Sequence, residues 1–518
     1  MPTAFDLDAL TLEGVRAGAL AGVPVTVLGL ARTGVGLARF LAGEPEAALG
    51  DRLAELDGTS IRLLAGPDVD PASAWEDAAL VAFSPSITPG FPTTEPRLRA
   101  ALDGLAARRA GGDPGAPTLV SEPDLTLRLC PAPTIGVTGT KGKTTTASLI
   151  AHLLAADPSH PVVLGGNIGV PLIDRVTELT PEHRVVVELS ELQLPSLTRG
   201  TTVAVYTNVT ADHLDRHGSV AAYRAVKRRL AELVDPDGAL VLNLDDPVVG
   251  GYAGLRTAPA VCYQLEHPIG GGVGIVDGWV VTAGVERLPI VGGGPAWTGP
   301  AGRIMPIGEF SLPGRHNVAN LLAGVAVGLL FGLAPDAIRA AAATFEGVEH
   351  RLEPVGLVDG VRFVNDSQGT QPDAVVAALR SFDAPLVLIA GGRDKGVDLR
   401  ALAPVVAERA AAAVLIGESG PTLAALFREA GCARVEEAGT LEIAVPRADA
   451  LARELLAGAA PGSVATVLLS PAAASFDQFP DYAARGRAFK VAVARVAAAA
   501  TAASTATAAA SAGPGRGG

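Results

Sequence analysis

Short apolar runs recur along this chain. Many are followed by a glycine-, serine- or threonine-rich turn and then by apolar residues at helical spacing. Val25, Val27 and Leu28 predict a strand, residues 29–34 a turn, and the residues up to Phe40 a helix. A second apolar run at 79–83 ends at Ser84-Pro85-Ser86. Residues 133–135 predict a strand before a glycine-rich turn, and Ala147, Leu149, Ile150, Leu153 and Leu154 predict the helix after it. Further strands are predicted at 162–164, 185–189, 203–207 and 239–244, with helical patterns between several of them. This alternation implies an α/β fold with a mostly parallel sheet wrapped by helices. The glycine-rich segment 270–308 predicts hairpins and a long surface loop, and 316–330 a helix. Strands at 361–365, 386–390, 413–416 and 465–469 predict another doubly wound unit.

Boundaries fall where composition changes. Pro- and Gly-rich residues 110–117 loosen the chain, placing a first boundary near Pro131, and a third unit begins near Val348. The predicted units are 1–131, 132–347 and 348–496. Residues 497–518 are a low-complexity Ala/Ser/Thr/Gly tail expected to be disordered. The 518-residue length agrees with about three domains.

Composition narrows the function classes. Hydrophobic residues make up 48% and charged residues 18%, enough for large cores. A net charge of −13 without a block of lysines or arginines argues against a nucleic-acid partner. The longest apolar run, 321–334, is shorter than the roughly 18 residues of a membrane span and predicts a buried helix. Cys130, Cys262 and Cys432 are too scattered for a zinc site or a disulfide framework. The first twelve residues carry aspartates and no basic segment, so no secretory signal is expected. A cytoplasmic protein without a membrane partner follows.

The chemistry concentrates at residues 136–146, Gly-Val-Thr-Gly-Thr-Lys-Gly-Lys-Thr-Thr-Thr. A glycine turn between strand and helix points backbone N–H groups at a phosphate, and the helix dipole favours the anion. Lys143 adds a mobile positive charge and Thr144 a hydroxyl for Mg²⁺. Valine stands at 137, where the standard P-loop has glycine, so this is a variant loop. ATP binding is the inference. The turn at 29–34 reads Gly-x-Ala-x-x-Gly, with Asp51 about 20 residues beyond Gly29. An NAD fingerprint and a simple tight turn explain it equally well.

Glu188 ends the apolar strand Val185-Val186-Val187, where nucleotide-binding sheets hold Mg²⁺. Asp212, His213 and Asp215 cluster after the next strand. Tyr223, Lys227 and Leu230 share one helix face, which points Lys227 inward. A buried ammonium tends to lose its proton, and the neutral amine can take up CO₂ as a carbamate. A lysine snorkelling from the helix edge is the plainer alternative. His350-Arg351 and Asn365-Asp366-Ser367 open the third unit with groups able to meet phosphate, ribose or metal.

Taken with Gly165-Gly166-Asn167, Gly314-Arg315-His316-Asn317 and Leu469-Ser470-Pro471-Ala472 with Ser475, these motifs resemble the Mur ligases of peptidoglycan synthesis, specifically the members that add D-glutamate to UDP-N-acetylmuramoyl-L-alanine. The resemblance extends to about Arg495. It implies three domains: a Rossmann-like N-terminal domain for UDP, a P-loop-type central ATPase domain, and a Rossmann-like C-terminal domain for the amino acid. It implies a monomer that uses ATP and Mg²⁺ to form an acyl phosphate and then an amide. By position, Gly139, Thr140, Lys141, Gly142, Lys143, Thr144, Thr145, Thr146, Asn320, Arg351 and Asp366 would bind ATP. Lys143, Glu188, His213 and carbamylated Lys227 would be catalytic, and Thr144, Glu188, His213 and Lys227 would hold metal. Thr33, Asp51 and Asn167 would bind the UDP-sugar, with the Gly29 turn serving UDP rather than NAD. Thr370, Lys395, Ser475 and Tyr482 would bind D-glutamate.

The sequence departs from the family at three places. Gln368 stands where lysine is usual, which removes a positive charge near the amino-acid carboxylates, with Arg393 as a candidate substitute. Ala473 replaces a common cysteine, and Ser86 a common glycine. Rival readings are a family ligase for another amino acid or L-glutamate, and a non-catalytic binding protein. An NAD-dependent dehydrogenase is the third.

Overall fold

The computed structural model describes residues 4–29, 32–42, 61–62, 70–85, 87, 96–168, 171–212, 214–289, 302–312, 314–393, 399–460 and 462–511. The chain forms two compact units, Met1–Phe345 and Glu346–Gly518.

The first unit holds two sheets. One contains β1 (Val25–Leu28), β2 (Ile61–Arg62), β3 (Leu80–Phe83) and β4 (Thr118–Ser121), all parallel, in the order β2-β1-β3-β4. β1 and β3 are buried throughout, as expected for parallel strands covered on both faces. The helix Arg32–Ala42 begins tightly over the end of β1, since a Cβ on Gly34 would lie 1.5 Å from the Gly29 carbonyl oxygen.

The second sheet has nine strands: β5 (Thr134–Thr138), β6 (Val162–Gly166), β7 (Arg184–Glu188), β8 (Val203–Tyr206), β9 (Ala239–Asn243), β10 (Ala260–Tyr263), β11 (Val273–Val276), β12 (Trp279–Thr282) and β13 (Arg303–Pro306). Their order is β13-β12-β11-β10-β9-β8-β5-β7-β6. β5 to β10 pair in parallel, and β11 to β13 form an antiparallel extension. The hairpin expected in 270–308 is β11–β12, and residues 290–301 lie outside the described set. The apolar run at 321–334 supplies the buried face of the helix Arg315–Leu330, which packs on the helix Lys143–Leu154. Gly324 permits that approach, since a Cβ there would lie 3.0 Å from Leu153. Among the described residues, no helix is long and apolar enough to cross a membrane.

The second unit holds β14 (Glu353–Val358), β15 (Val361–Asn365), β16 (Leu386–Gly391), β17 (Ala412–Ile416), β18 (Val435–Gly439) and β19 (Ala465–Leu469), ordered β14-β15-β19-β16-β17-β18. All pairs are parallel except β14–β15. The two edge strands carry little sequence signal. β14 contains Pro354 and Gly356, and β18 reads Val-Glu-Glu-Ala-Gly. Charged, broken edges of this kind resist pairing with another chain.

One expectation is overturned here. The tail was expected to be disordered from Ala497, yet the helix Tyr482–Ser511 continues through it. Phe489, Ala492 and Val493 dock this helix in the core of the second unit, and alanine, the strongest helix former, propagates it outward. Residues 512–518 lie outside the described set.

A buried polar network fastens the helix Glu122–Leu129, which follows β4, to the nine-stranded part of the first unit. Asp124 is 1% exposed and accepts hydrogen bonds from the Thr198 N–H at 2.6 Å and the Arg199 N–H at 3.2 Å. It also accepts one from Arg128 Nε at 3.0 Å. Asp124→Ala would strand these donors and a poorly solvated guanidinium, and should cost about 3–5 kcal/mol in urea unfolding. Asp124→Asn, which retains an acceptor, should cost less.

Candidate functional site

The Gly139–Gly142 turn joins β5 to the helix Lys143–Leu154. Gly139 has φ +149°, and a Cβ there would lie 2.0 Å from Thr207 Oγ1. Gly142 has φ +83°, and a Cβ there would lie 2.9 Å from Asn320 Oδ1, which places Asn320 at the loop. Only glycine suits both positions. The residues after β8 pin the turn. The Thr140 N–H donates to the Asn208 carbonyl at 2.7 Å, and the Lys141 N–H to Asn208 Oδ1 at 3.0 Å. Thr207 Oγ1 donates to the Lys141 carbonyl at 2.7 Å. Lys143 Nζ donates to the Thr140 carbonyl at 2.8 Å. Gly142 has no side chain with which to cap the helix, so the terminal N–H groups suit an anion. Thr144 and Thr146 are buried and Thr145 is half-buried.

Glu188 lies beside this loop because β7 pairs directly with β5, with Glu188 opposite Val137. It is 2% exposed. One carboxylate oxygen accepts from Asn167 Nδ2 at 2.8 Å, and the other is buried without a hydrogen-bond partner. An orphaned buried carboxylate oxygen is costly unless a cation completes it. Thr144 and Glu188 are hard oxygen donors of the kind Mg²⁺ takes. The residues present therefore fit the ion.

Lys227 is fully buried, as its helix face predicted. Its Nζ donates to Thr138 Oγ1 at 3.3 Å and lies 5.6 Å from the centre of the Tyr223 ring. Burial pulls its pKa down to about 7, helped by the Lys143 charge and opposed by Glu191, Glu188 and Asp212. Tyr223 also hydrogen-bonds Thr140 at 3.0 Å, so the lysine's helix is tied to the P-loop. Tyr206 Oη donates to the Lys227 carbonyl at 2.7 Å and accepts from the Ala231 N–H at 2.8 Å. Those two groups pair directly in an uninterrupted helix.

The second unit gathers another set of loops at the carboxyl ends of β15, β19 and β16. Asp366 follows β15 and accepts from Ser470 Oγ at 2.6 Å and from the Leu352 N–H at 3.2 Å. Burial raises its pKa to about 6, against the pull of Ser470 and Arg351. Arg351 is exposed and reaches Gln368 Oε1 at 3.5 Å. The Gln368 N–H donates to the His350 carbonyl, and the Thr370 N–H to the Gln368 carbonyl. Ser475 is buried. The Tyr482 carbonyl accepts from Ser367 Oγ at 2.7 Å. The Arg393 N–H donates to the Ala474 carbonyl, which places Arg393 beside Ser475, while its guanidinium stands 3.7 Å from Glu418.

The predicted residues thus fall into two groups. Gly139–Thr146, Asn167, Glu188, Lys227 and Asn320 come together in the first unit. Arg351, Asp366, Thr370, Ser475 and Tyr482 surround neighbouring strand ends in the second. Thr33 lies in the first turn of the helix after the Gly29 turn. Asp51, Ser86, His213 and Lys395 lie outside the described residues. Two residues were missed. Glu191, three residues past Glu188, is a buried carboxylate whose charge reaches Lys227. Arg485 is fully buried, and its only sequence signal is an arginine among small residues on a core helix.

The depressed pKa has a consequence for stability. The fold carries the full cost of burying the Lys227 ammonium below about pH 7, and that cost fades toward pH 10.5, where the unfolded lysine is also neutral. Ligand-free protein should therefore gain stability from pH 7 to 10 relative to Lys227→Met, as read by urea unfolding at each pH. Gly139→Ala forces a Cβ onto Thr207 and should weaken ATP binding at least a hundredfold in calorimetric titration.

The Mur ligase middle-domain model matches residues 137–328, and the Mur ligase glutamate-ligase-domain model matches residues 350–473. The UDP-N-acetylmuramoylalanine–D-glutamate ligase of Symbiobacterium thermophilum is 39% identical over 85% of this chain and 89% of its own length. That of Pelotomaculum thermopropionicum is 36% identical over 90% and 96%. A crystal structure of the UDP-N-acetylmuramate–alanine ligase of Thermotoga maritima aligns with a TM-score of 0.50 at 18% identity, covering 92% of this chain and 99% of that one, a likeness of fold. The chain belongs to the Mur ligase family, among the UDP-N-acetylmuramoylalanine–D-glutamate ligases.

Proposed function

We propose that this protein joins D-glutamate to UDP-N-acetylmuramoyl-L-alanine at the expense of ATP, through an acyl phosphate, in peptidoglycan synthesis. The observation that carries the reading is the buried Glu188 carboxylate, with one oxygen unpaired, beside a glycine loop and a buried lysine. ATP binding needs the loop, and carboxylate phosphorylation needs cationic help because two anions must meet. The loop's N–H groups and Lys143 would bind and orient the phosphates. Thr144, Glu188, His213 and Lys227 as its carbamate would hold Mg²⁺. When bound, Mg²⁺ supplies the charge that offsets repulsion between phosphate and substrate carboxylate. Burial keeps the Lys227 amine neutral for a large fraction of the time near neutral pH, as CO₂ capture requires. Asn167 would meet the muramoyl-alanine moiety, and Thr33 with Asp51 the UDP. Asn320 would bind ATP beside the loop of the first unit, and Arg351 and Asp366 would be the nucleotide-binding residues of the second.

Residues 1–131, 132–347 and 348–496 would serve as the UDP-sugar, ATP and amino-acid domains. Thr370, Lys395, Ser475 and Tyr482 would hold the amino acid, whose amine attacks the acyl phosphate and expels phosphate. We place the protein in the cytoplasm, in keeping with three unpaired thiols. A second reading has its own observation: Gln368, bonded to Arg351 where lysine is usual, leaves the pocket with less positive charge and favours another amino acid.

The deciding assay is ADP release with UDP-N-acetylmuramoyl-L-alanine, Mg²⁺ and a panel of amino acids that includes both glutamate enantiomers. Release that depends on D-glutamate is expected. Release with another amino acid would reassign the C-terminal pocket, and no release with any would refute the ligase reading. Lys227→Ala should lose at least a thousandfold in kcat and recover part of it with added acetate or formate. Full activity of Lys227→Ala would exclude a carbamate role.

A further inference from the structure

Arg485 is the largest fully buried side chain among the described residues, 1% exposed, on the helix Tyr482–Ser511. Its guanidinium touches two loops. Nε donates to Ser367 Oγ at 3.0 Å, and Nη2 to the Ser367 carbonyl at 3.0 Å. Nη2 also donates to the Ala473 carbonyl at 3.2 Å, and Nη1 to the Ala474 carbonyl at 3.2 Å. One planar fork thus spans the turn after β15 and the turn after β19. The loop after β16 joins the same cluster. The Ala474 carbonyl also accepts from the Arg393 N–H, and a Cβ on Gly392 would lie 3.0 Å from Arg485 Nη1.

A buried cation held by main-chain oxygens fixes more than distance. Each carbonyl aimed at the guanidinium turns the N–H of the same peptide plane the opposite way. Arg485 therefore sets the orientation of the Ala473–Ala474 and Ala474–Ser475 peptides, which lead into Ser475. On the other loop it fixes Ser367, which stands between Asp366 and the Gln368–Thr370 turn. Lysine cannot reproduce this, because a single ammonium lacks the fork that reaches both loops at once.

We propose that Arg485 is a positioning residue for amino-acid capture, tying the Ser367 turn to the Ala473–Ser475 turn so that the groups on both keep fixed places around the incoming amino acid. This rests on the reading of these loops as the amino-acid pocket. It predicts a selective kinetic effect. Arg485→Ala should raise KM for D-glutamate at least tenfold while KM for ATP and for the UDP-sugar changes less than threefold. Methylguanidine at millimolar concentration should lower the raised KM in Arg485→Ala and leave wild type unchanged. Arg485→Lys should remain impaired despite keeping the charge.

Equal rises in all three KM values, or an unchanged D-glutamate KM, would overturn the proposal. If wild type accepts a different amino acid, the same comparison is made with that amino acid. If wild type accepts none, the pocket reading has failed, and Arg485 is judged by amide hydrogen exchange. Faster exchange in 367–370 and 472–478 of the variant, reversed by methylguanidine, would retain the clamp; unchanged exchange would refute it. If Arg485→Ala does not fold, Arg485→Lys carries the kinetic and exchange measurements.

Discussion

The first unit is organised around one steric constraint, the close approach of Gly139 to Thr207. The backbone at Gly139 adopts φ +149°, and the Thr207 hydroxyl occupies the place a Cβ would take. That contact lets the segment after β8 reach under the turn and bond to it with Thr207, Asn208 and Thr210. The turn is thereby held open before any nucleotide arrives, which lowers the ordering cost of binding. The same packing brings the helix Val220–Leu233 close enough for Tyr223 to bond Thr140 and for Lys227 to reach Thr138. Phosphate loop, strand end and buried lysine form one connected structure, so none of them can shift alone.

Burial does different work at the two acidic centres. At Glu188 it leaves an oxygen without a partner, an arrangement that a cation would relieve. At Asp366 the carboxyl is fully engaged, by Ser470 and by the Leu352 N–H, and its raised pKa reflects desolvation that those bonds only partly offset. Asp366 links Leu352 to Ser470, much as the guanidinium of Arg485 links Ser367 to Ala473 and Ala474.

Much of this was legible in the sequence because it depends on local rules. The strand–glycine turn–helix signal of residues 133–154 needs only backbone chemistry, and the inward face of Lys227 needs only the helical period. The apolar runs of β15 and β19 mark those strands to the residue, whereas β5 runs three residues past its predicted end and the short β10 is not predicted at all. The edge strands β14 and β18 escaped because an edge buries little and tolerates proline, glycine and charge. The tail was misjudged because low complexity suggests disorder while alanine favours helix, and docking at Phe489 tipped the balance. Neither Glu191 nor Arg485 could be recognised, because their partners are distant in sequence or are main-chain carbonyls, which carry no residue signature.

Gln368 shows how a missing charge can be read from its surroundings. A lysine at this position would place an ammonium near Arg351, but glutamine instead accepts from that arginine. The guanidinium is thus directed by a neutral neighbour rather than repelled by a like charge. Arg393 has its main chain locked to Ala474 beside Ser475, while its side chain is shared with exposed Glu418. An exposed pair of this kind is worth at most about 1 kcal/mol, so Glu418 holds the guanidinium only weakly. Glutamine at 368 thus removes one positive charge from these loops, while Arg351 and Arg393 keep theirs, each held to a neighbour by a long contact.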